Sequence, residues 1–481
     1  MSKIQQLLQS HFGYTSFRPP QAEVIDHILA GGSGLVMMPT GYGKSLCYQL
    51  PSLVLDGLTL VVSPLIALAE DQVQAAQQRG LAATQINSSV SREERERRWQ
   101  KVAGGEIKLL YITPERLKMA EFSAAVRPEN IKLLAIDEAH CLSQWGHDFR
   151  PEYARLGERR GQMGKPPTLA LTATATLKVQ NEIQQNLEIE DGKVWNIGLE
   201  RPNLFLAVRE VYGLDEKVRS LVGLRHQISG PMIVYFSLIS TLEKISEQLG
   251  RLGLAHVIYH GQLNDQVRRH NQHLFMSGKA DMILATPAFG LGIDKADVRA
   301  VIHAETPGSL EAYYQEVGRA GRDGLPAHCE LLADVDDISI QMDFLKWTNP
   351  DPEFVRATYK LIKNNQLRVR QEGADYLRGQ LLFYNRRDFR LETALNWLER
   401  WGAIDWPHHD FRQLSAVQEP DGEWLDEKLH SLRGKSQNEK LLELVQWLKI
   451  ETCRKEKIYH YFGAKSAGPC GTCDICILGQ A

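Results

Sequence analysis

Nothing in the 481 residues approaches the unbroken run of roughly 20 apolar residues that a membrane span requires. The opening Met1-Ser2-Lys3-Ile4-Gln5-Gln6 also lacks the apolar core of a secretory signal, so the chain is expected in the cytoplasm or nucleoid. Neither sign of charge dominates, with 56 lysines and arginines against 59 aspartates and glutamates. A net −3 supplies no general field for a polyanion, and any nucleic-acid partner would need basic groups gathered locally in a channel. Cysteine is scarce too, at seven. Cys47, Cys141 and Cys329 are scattered while Cys453, Cys470, Cys473 and Cys476 cluster near the C-terminus, a distribution that argues against a disulfide framework and for a metal site in a reducing compartment. What remains is ordinary globular composition, 43% hydrophobic and 24% charged, in a chain too long for one core.

The most informative stretch is Pro39-Thr40-Gly41-Tyr42-Gly43-Lys44-Ser45. It follows the apolar strand Leu35-Val36-Met37-Met38 and leads into Leu46-Cys47-Tyr48-Gln49-Leu50, a helix start that Pro51 is expected to stop. Strand, glycine-bearing turn and helix N-terminus make a phosphate cradle of inward backbone N–H groups. Lys44 would reach the β- and γ-phosphates of ATP and Ser45 would take a magnesium position. Met38 stands where the general pattern has its first glycine. Further on, Lys132-Leu133-Leu134-Ala135-Ile136 is a strand delivering Asp137 and Glu138 at its C-terminal end, the edge where parallel sheets bind ligands. Asp137 suits magnesium through water, and Glu138 suits orienting and deprotonating an attacking water.

Upstream, Phe12-Gly13-Tyr14-Thr15-Ser16-Phe17-Arg18-Pro19-Pro20-Gln21 offers a base pocket: Gln21 has the donor and acceptor that an adenine edge needs, and Tyr14 and Arg18 have flat faces for stacking. Taken alone, the same aromatics suit core packing. Behind the carboxylates lies Ser143-Gln144-Trp145-Gly146-His147-Asp148-Phe149-Arg150, too polar for a core strand. Exposed Trp145 and Phe149 would stack bases and Arg150 would touch phosphate; the alternative is that Trp145 packs in the core.

Strand and helix alternation restarts near residue 204, with strands at 231–236, 255–260 and 281–286. Gly292 and Asp294 close a glycine-rich turn, with Asp294 placed for a ribose. Gln315, Arg319 and Arg322 follow, the two arginines on one face if that segment is helical. A second α/β domain with arginines but no phosphate loop suits a composite site, in which ATP is clamped between domains and an arginine contacts the γ-phosphate. A solvated helix face is the alternative for the arginine pair.

Phe17 to Gln21, Pro39 to Ser45, Asp137-Glu138-Ala139-His140, the run from Ser143 to Arg150 and Gln315 to Gly324 together resemble the RecQ family of DNA helicases. Asp-Glu-Ala-His alone would fit RNA helicases as well, and the aromatic loop behind it makes the resemblance specific. It implies an α/β fold with two RecA-like domains (residues 1–207 and 208–340), magnesium-dependent ATP hydrolysis stimulated by single-stranded DNA, and 3′-to-5′ translocation that unwinds forked or tailed duplexes in repair or recombination. It also implies that Tyr14, Arg18 and Gln21 hold adenine and that Arg322 is the arginine finger, with Arg319 its companion. The competing readings are an RNA-dependent ATPase and a strand-annealing protein that uses ATP only as a switch.

Cys453, Cys470, Cys473 and Cys476 can close a tetrahedron around zinc with no open position, making the metal structural, as in the family's zinc module (residues 436–481). Residues 341–435 depart from the family pattern. Helices at 353–365 and 390–402 and a hairpin spanning 403–417 read as a winged helix, with Arg378, Arg386, Arg387 and Arg390 placed for DNA phosphates. Because the chain as given ends at Ala481, without the winged helix and small helical domain that follow the zinc module in the family, this insert is expected to replace the winged helix as the element that engages the duplex. A structural spacer is the alternative. A monomer is expected.

Overall fold

The computed structural model describes residues 2–479 apart from 40, 65, 88–89, 91, 119, 144–152, 154, 291–294, 383–387, 407–409, 421–426 and 465–467. It divides into two compact units, Met1–Ala333 with Trp447–Ala481, and Asp334–Gln446.

The first unit contains two parallel sheets. In the first sheet, β1 (Gly34–Met37), β2 (Leu58–Val62), β3 (Ala83–Ile86), β4 (Leu109–Ile112), β5 (Ile131–Ile136), β6 (Thr168–Thr172) and β7 (Lys193–Asn196) lie in the order β3-β4-β2-β5-β6-β1-β7. The apolar runs alternate between two cores, as expected for strands covered on both faces: Leu35, Met37, Leu60, Leu134 and Ile136 point into one, and Val36, Met38, Val61, Leu133 and Ala135 into the other. Burial on both sides makes the register costly to slip. It therefore fixes where each strand's C-terminal end delivers its side chains: the phosphate loop after β1, and Asp137 two strands away after β5.

The second sheet contains β8 (Leu204–Glu210), β9 (Met232–Tyr235), β10 (Val257–Tyr259), β11 (Met282–Ala285), β12 (Ala300–His303) and β13 (Ala327–Ala333), ordered β10-β11-β9-β12-β13-β8. A helix at Leu310–Val317 follows β12, capped by the Ser309 side chain on the Ala312 N–H.

Two expectations need correcting here. Pro51 does not stop the helix after Leu50; the helix runs Leu46–Ser52, and Pro51 forfeits only its own N–H bond back to the Cys47 carbonyl, while its carbonyl still accepts from the Val54 and Leu55 N–H groups. Arg319 and Arg322 are not on a helix face, since the helix ends at Val317 and both lie in the turn beyond Gly318.

The second unit begins with helix Val335–Thr348. Asp351 caps the next, Pro352–Asn364, by accepting from the Phe354 N–H, with proline at the first helical position. Helices Gln366–Glu372 and Ala374–Leu381 come next and were not anticipated; Gly373, at φ 62°, turns the chain between them. Helix Arg390–Arg400 leads through Gly402 (φ 67°) into an antiparallel hairpin of β14 (Ile404–Asp405) and β15 (Ser415–Ala416), with Ile404 opposite Ala416. Val355, Tyr359, Leu391, Leu395, Leu398 and Trp406 form its core. The closing helix, Glu427–Leu448, runs unbroken through residue 436, where the zinc module was expected to start. Among the described residues, no helix is long and apolar enough to cross a membrane.

Candidate active site

The phosphate loop is held open by its own backbone. Gly41 and Gly43 sit at φ 81° and 90°, where side chains are strained. A Cβ on Gly43 would lie 2.7 Å from Gln21 Nε2, so the cradle's width depends on that glycine. Thr40 lies outside the described residues. Lys44, partly buried, donates to the Met38 carbonyl at 3.0 Å. Burial lowers its pKa while Glu138 and Asp137 oppose the shift, so both carboxylates act on its ammonium.

Asp137 leaves β5 with its carboxylate accepting the Glu138 N–H at 3.0 Å. Burial, and then the neighbouring Glu138, push it up to about 7, against the pull of Lys44. A carboxyl kept so readily protonated in the absence of a cation is the donor that a divalent ion would ionise, so Asp137 and Ser45 fit magnesium as a donor set. Glu138 stands in the left-handed region at φ 48°, an unfavourable backbone for a non-glycine residue and of the kind found where function fixes the geometry. Its carboxylate lies 3.4 Å from His140 Nδ1, which in turn is 3.0 Å from Thr172 Oγ1; Thr172 donates onward to the Thr174 carbonyl at 3.0 Å. That chain links the Glu138 carboxylate to the Thr172–Thr174 turn.

The second sheet's arginines reach this cradle. A Cβ on Gly41 would lie 3.2 Å from the Arg322 side chain, and the Arg322 charge further lowers the Lys44 pKa. Arg319 packs on the backbone of Gly290, whose missing side chain leaves room for the guanidinium; a Cβ there would lie 2.7 Å from Nη2. Both arginines lie near the Tyr235 hydroxyl, which burial raises to about 12. Gln315 is partly exposed on the Leu310–Val317 helix leading to them. Gly292 and Asp294 lie outside the described residues.

At the expected base pocket, Tyr14 is half exposed and the Arg18 guanidinium lies over the Tyr42 ring at 5.6 Å. Gln21 is buried. Its amide donates to the Tyr42 and Gly43 carbonyls at 3.1 and 3.3 Å and accepts the Arg18 N–H at 2.9 Å, tying this segment to the phosphate loop.

The aromatic loop, with Gln144, Trp145, His147, Phe149 and Arg150, lies outside the described residues. Ser143 does not open towards a strand as expected: it is fully buried and donates to Glu182 at 2.6 Å, anchoring the loop's first residue. Of the four arginines foreseen in the second unit, the two described ones are each paired with a carboxylate. Arg378 pairs with Glu392, and Arg390 forks onto Asp388 at 2.7 Å while covering the Phe354 ring. Arg386 and Arg387 lie outside the described residues.

The four cysteines converge, their sulfurs all within 4.8 Å of one another, and the Cys470 and Thr472 N–H groups donate to the Cys453 and Cys470 sulfurs. Zinc–sulfur bonds of about 2.3 Å suit such a cluster. The module is held to the second sheet's edge. Leu206 bridges Cys473, the Val208 N–H donates to Asp474 at 3.0 Å, and Arg454 pairs with Asp474 at 2.6 Å. On the other side Tyr461 donates to Glu311 at 2.7 Å and Trp447 meets Tyr313 at 4.7 Å. Asp474, between two cysteines, is not singled out by the sequence.

Comparison with known proteins gives the family and the fold. The DEAD/DEAH box helicase model matches residues 18–183, the helicase conserved C-terminal domain residues 215–324, and RecQ zinc-binding residues 409–477. The chain is 36% identical to the ATP-dependent DNA helicase RecQ of Synechocystis over 99% of its own length and 98% of the relative's. To the Bacillus subtilis protein named probable ATP-dependent DNA helicase RecS it is 38% identical, over 78% of this chain and 76% of the relative. The RecQ of Haemophilus influenzae is 34% identical over 98% of this chain, which spans 63% of that relative's length. Yeast Dbp5 bound to RNA and ADP BeF3 shares the fold at a TM-score of 0.57 and 16% identity, covering 72% of this chain and 91% of its own. The DUF1998 helicase MrfA bound to DNA shares it at 0.58 and 17%, covering 87% and 63%.

Proposed function

The chain belongs to the RecQ family, and from that premise we propose that it is an ATP-dependent DNA helicase that moves 3′-to-5′ along single-stranded DNA and opens forked or tailed duplexes in repair or recombination. The observation that carries the reading is the approach of Arg322 to the phosphate loop, since it makes one nucleotide site from two domains.

Lys44 and the loop's N–H groups receive the β- and γ-phosphates. Ser45 and Asp137 would hold magnesium, which when bound would supply charge that neutralises those phosphates. Glu138, steadied by His140, orients water in line with the γ-phosphate and takes its proton. Gln315 senses that phosphate, and Arg322, with Arg319 beside it, stabilises the charge that develops there. Such a finger is worth about 10³–10⁵ in rate. Tyr14, Arg18 and Gln21 border the base, with Gln21 also setting the loop's shape. Gly292 and Asp294 serve the ribose side. The loop from Gln144 to Arg150 stacks the strand through Trp145 and Phe149. The residue 334–446 unit, including Arg386 and Arg387, engages the duplex, and zinc on the four cysteines is structural. The protein works as a monomer in the cytoplasm, associated with the nucleoid.

Unwinding of a forked duplex bearing a 3′ or a 5′ tail tests this, with Lys44→Ala as control. Activity on the 3′ tail, lost in Lys44→Ala, is expected; equal activity on both tails removes the polarity, and hydrolysis indifferent to oligonucleotides removes the motor. Stimulation by DNA homopolymers over RNA ones separates this reading from an RNA-dependent ATPase.

A further inference from the structure

The loop carrying Arg319 and Arg322 is gripped from behind by a residue outside every motif considered so far. Arg201 lies on the connection between the two sheets. Its guanidinium donates through Nη1 to the Gly318 carbonyl at 3.2 Å and through Nη2 to the carbonyls of Ala320 at 2.5 Å and Gly321 at 3.0 Å. Asn203 continues the grip, donating to Gly321 and Leu325 carbonyls at 2.8 and 2.9 Å. Gly321 sits at φ 54°, and a Cβ on it would lie 2.5 Å from the Asn203 amide, so loop and clamp are fitted to each other.

The clamp has its own anchor. Lys455, buried in the zinc module, donates to the Arg201 carbonyl at 2.9 Å and to Thr472 Oγ1 at 2.7 Å, and Thr472 lies between Cys470 and Cys473. Hydrogen bonds joined by the covalent frames of Thr472 and Arg201 therefore link the zinc cysteines through Lys455 to three carbonyls of the finger loop.

We propose that Arg201 is a positioning residue for hydrolysis, acting through Arg322, and that the zinc module sets its position through Lys455. This rests on the proposed role of Arg322. A planar fork with several donors in fixed directions suits a row of carbonyls as an ammonium does not. Because the finger acts on charge developing at the γ-phosphate, its displacement slows turnover without weakening ATP binding.

The test is a double-mutant cycle on the full chain with Arg201→Lys, Arg322→Ala and the pair, followed by single-turnover hydrolysis with single-stranded DNA and by affinity for a non-hydrolysable ATP analogue. Arg201→Lys is expected to lower the rate about 10- to 100-fold, the cost of a misplacement near 1 Å. Analogue affinity should stay within about twofold, and almost no further loss should appear once Arg322 is absent. A multiplicative loss in the pair, a loss carried by analogue affinity, or a wild-type rate for Arg201→Lys overturns the proposal. A wild-type rate for Arg322→Ala would instead sink the underlying reading of the finger. Lys455→Met with retained zinc content is the second probe, in case Arg201→Lys fails to fold. It should lower the rate at least about threefold in the same Arg322-dependent way, and a wild-type rate would break the link to zinc.

Discussion

Asp137→Asn should make the protein more stable while ending its hydrolysis. The Asp137 carboxyl stands at about 7 against an ordinary 3.8, raised first by burial and then by Glu138. Between those two values the unfolded chain has lost the proton and the folded one keeps it, so wild-type stability falls as pH rises through this window and is flat above it. At about 1.4 kcal/mol for each tenfold change, the full penalty is about 4 kcal/mol; relaxation and water around a partly buried group would halve it to about 2. Asparagine keeps the shape and can still accept the Glu138 N–H, but carries no charge to bury. Thermal melts of both proteins at pH steps from 4 to 8, without nucleotide or magnesium, should show no difference at pH 4. The gap should widen with pH to about 4–8 °C in favour of Asp137→Asn at pH 7.5, on the usual conversion for domains of this size. Saturating magnesium and nucleotide should close the gap by favouring the ionised wild-type carboxylate. A pH-independent difference, or a mutant less stable at pH 7.5, would refute the account of Asp137 as a carboxylate strained by its surroundings.

Gly43→Ala places a methyl 2.7 Å from the Gln21 amide at φ 90°; ATP affinity by calorimetry should fall at least about tenfold, the cost of one to a few kcal/mol of backbone and steric strain. Cys473→Ser should abolish stoichiometric zinc, measured by a chromophoric chelator after unfolding, and lower the melting temperature by several degrees or more, as loss of a structural site does. Deleting residues 353–425 should weaken binding of a forked duplex in anisotropy titrations while leaving single-strand-stimulated hydrolysis within about twofold, the spread expected when independent sites do not couple; unchanged fork affinity would make this unit a spacer. Glu138→Gln should bind ATP normally and hydrolyse it at least about 100-fold more slowly, the usual worth of a positioned base, with unwinding lost in parallel; retained strand handling would favour an ATP-switched annealing protein.

The α/β architecture was legible because both sheets are built from short apolar runs punctuated by turns, and the cradle because glycine, lysine and serine stand at fixed spacing after one of them. Four clustered cysteines made the zinc module equally plain. Other features depended on tertiary placement. Arg319 and Arg322 read as a helical pair because their spacing outweighed the glycine stop signal at Gly318, and they lie in a turn. The carbonyl grip of Arg201 leaves no sequence trace, because its partners are backbone atoms more than a hundred residues away. Arg378 and Arg390 read as free cations because pattern reading weighs charges along the chain, whereas Glu392 and Asp388 cancel them in space. The helices Gln366–Glu372 and Ala374–Leu381 are short and interrupted by Gly373, too brief for a helical period to emerge.

The Leu206 bridge to Cys473 and the Asp474 carboxylate on Val208 occupy outward hydrogen-bonding positions of β8, the last strand of its sheet. An uncovered terminal strand is a template for pairing with another chain. Metal starvation in the cell would thus do more than loosen a small module: it would uncover a sticky margin along β8, open to pairing with another chain.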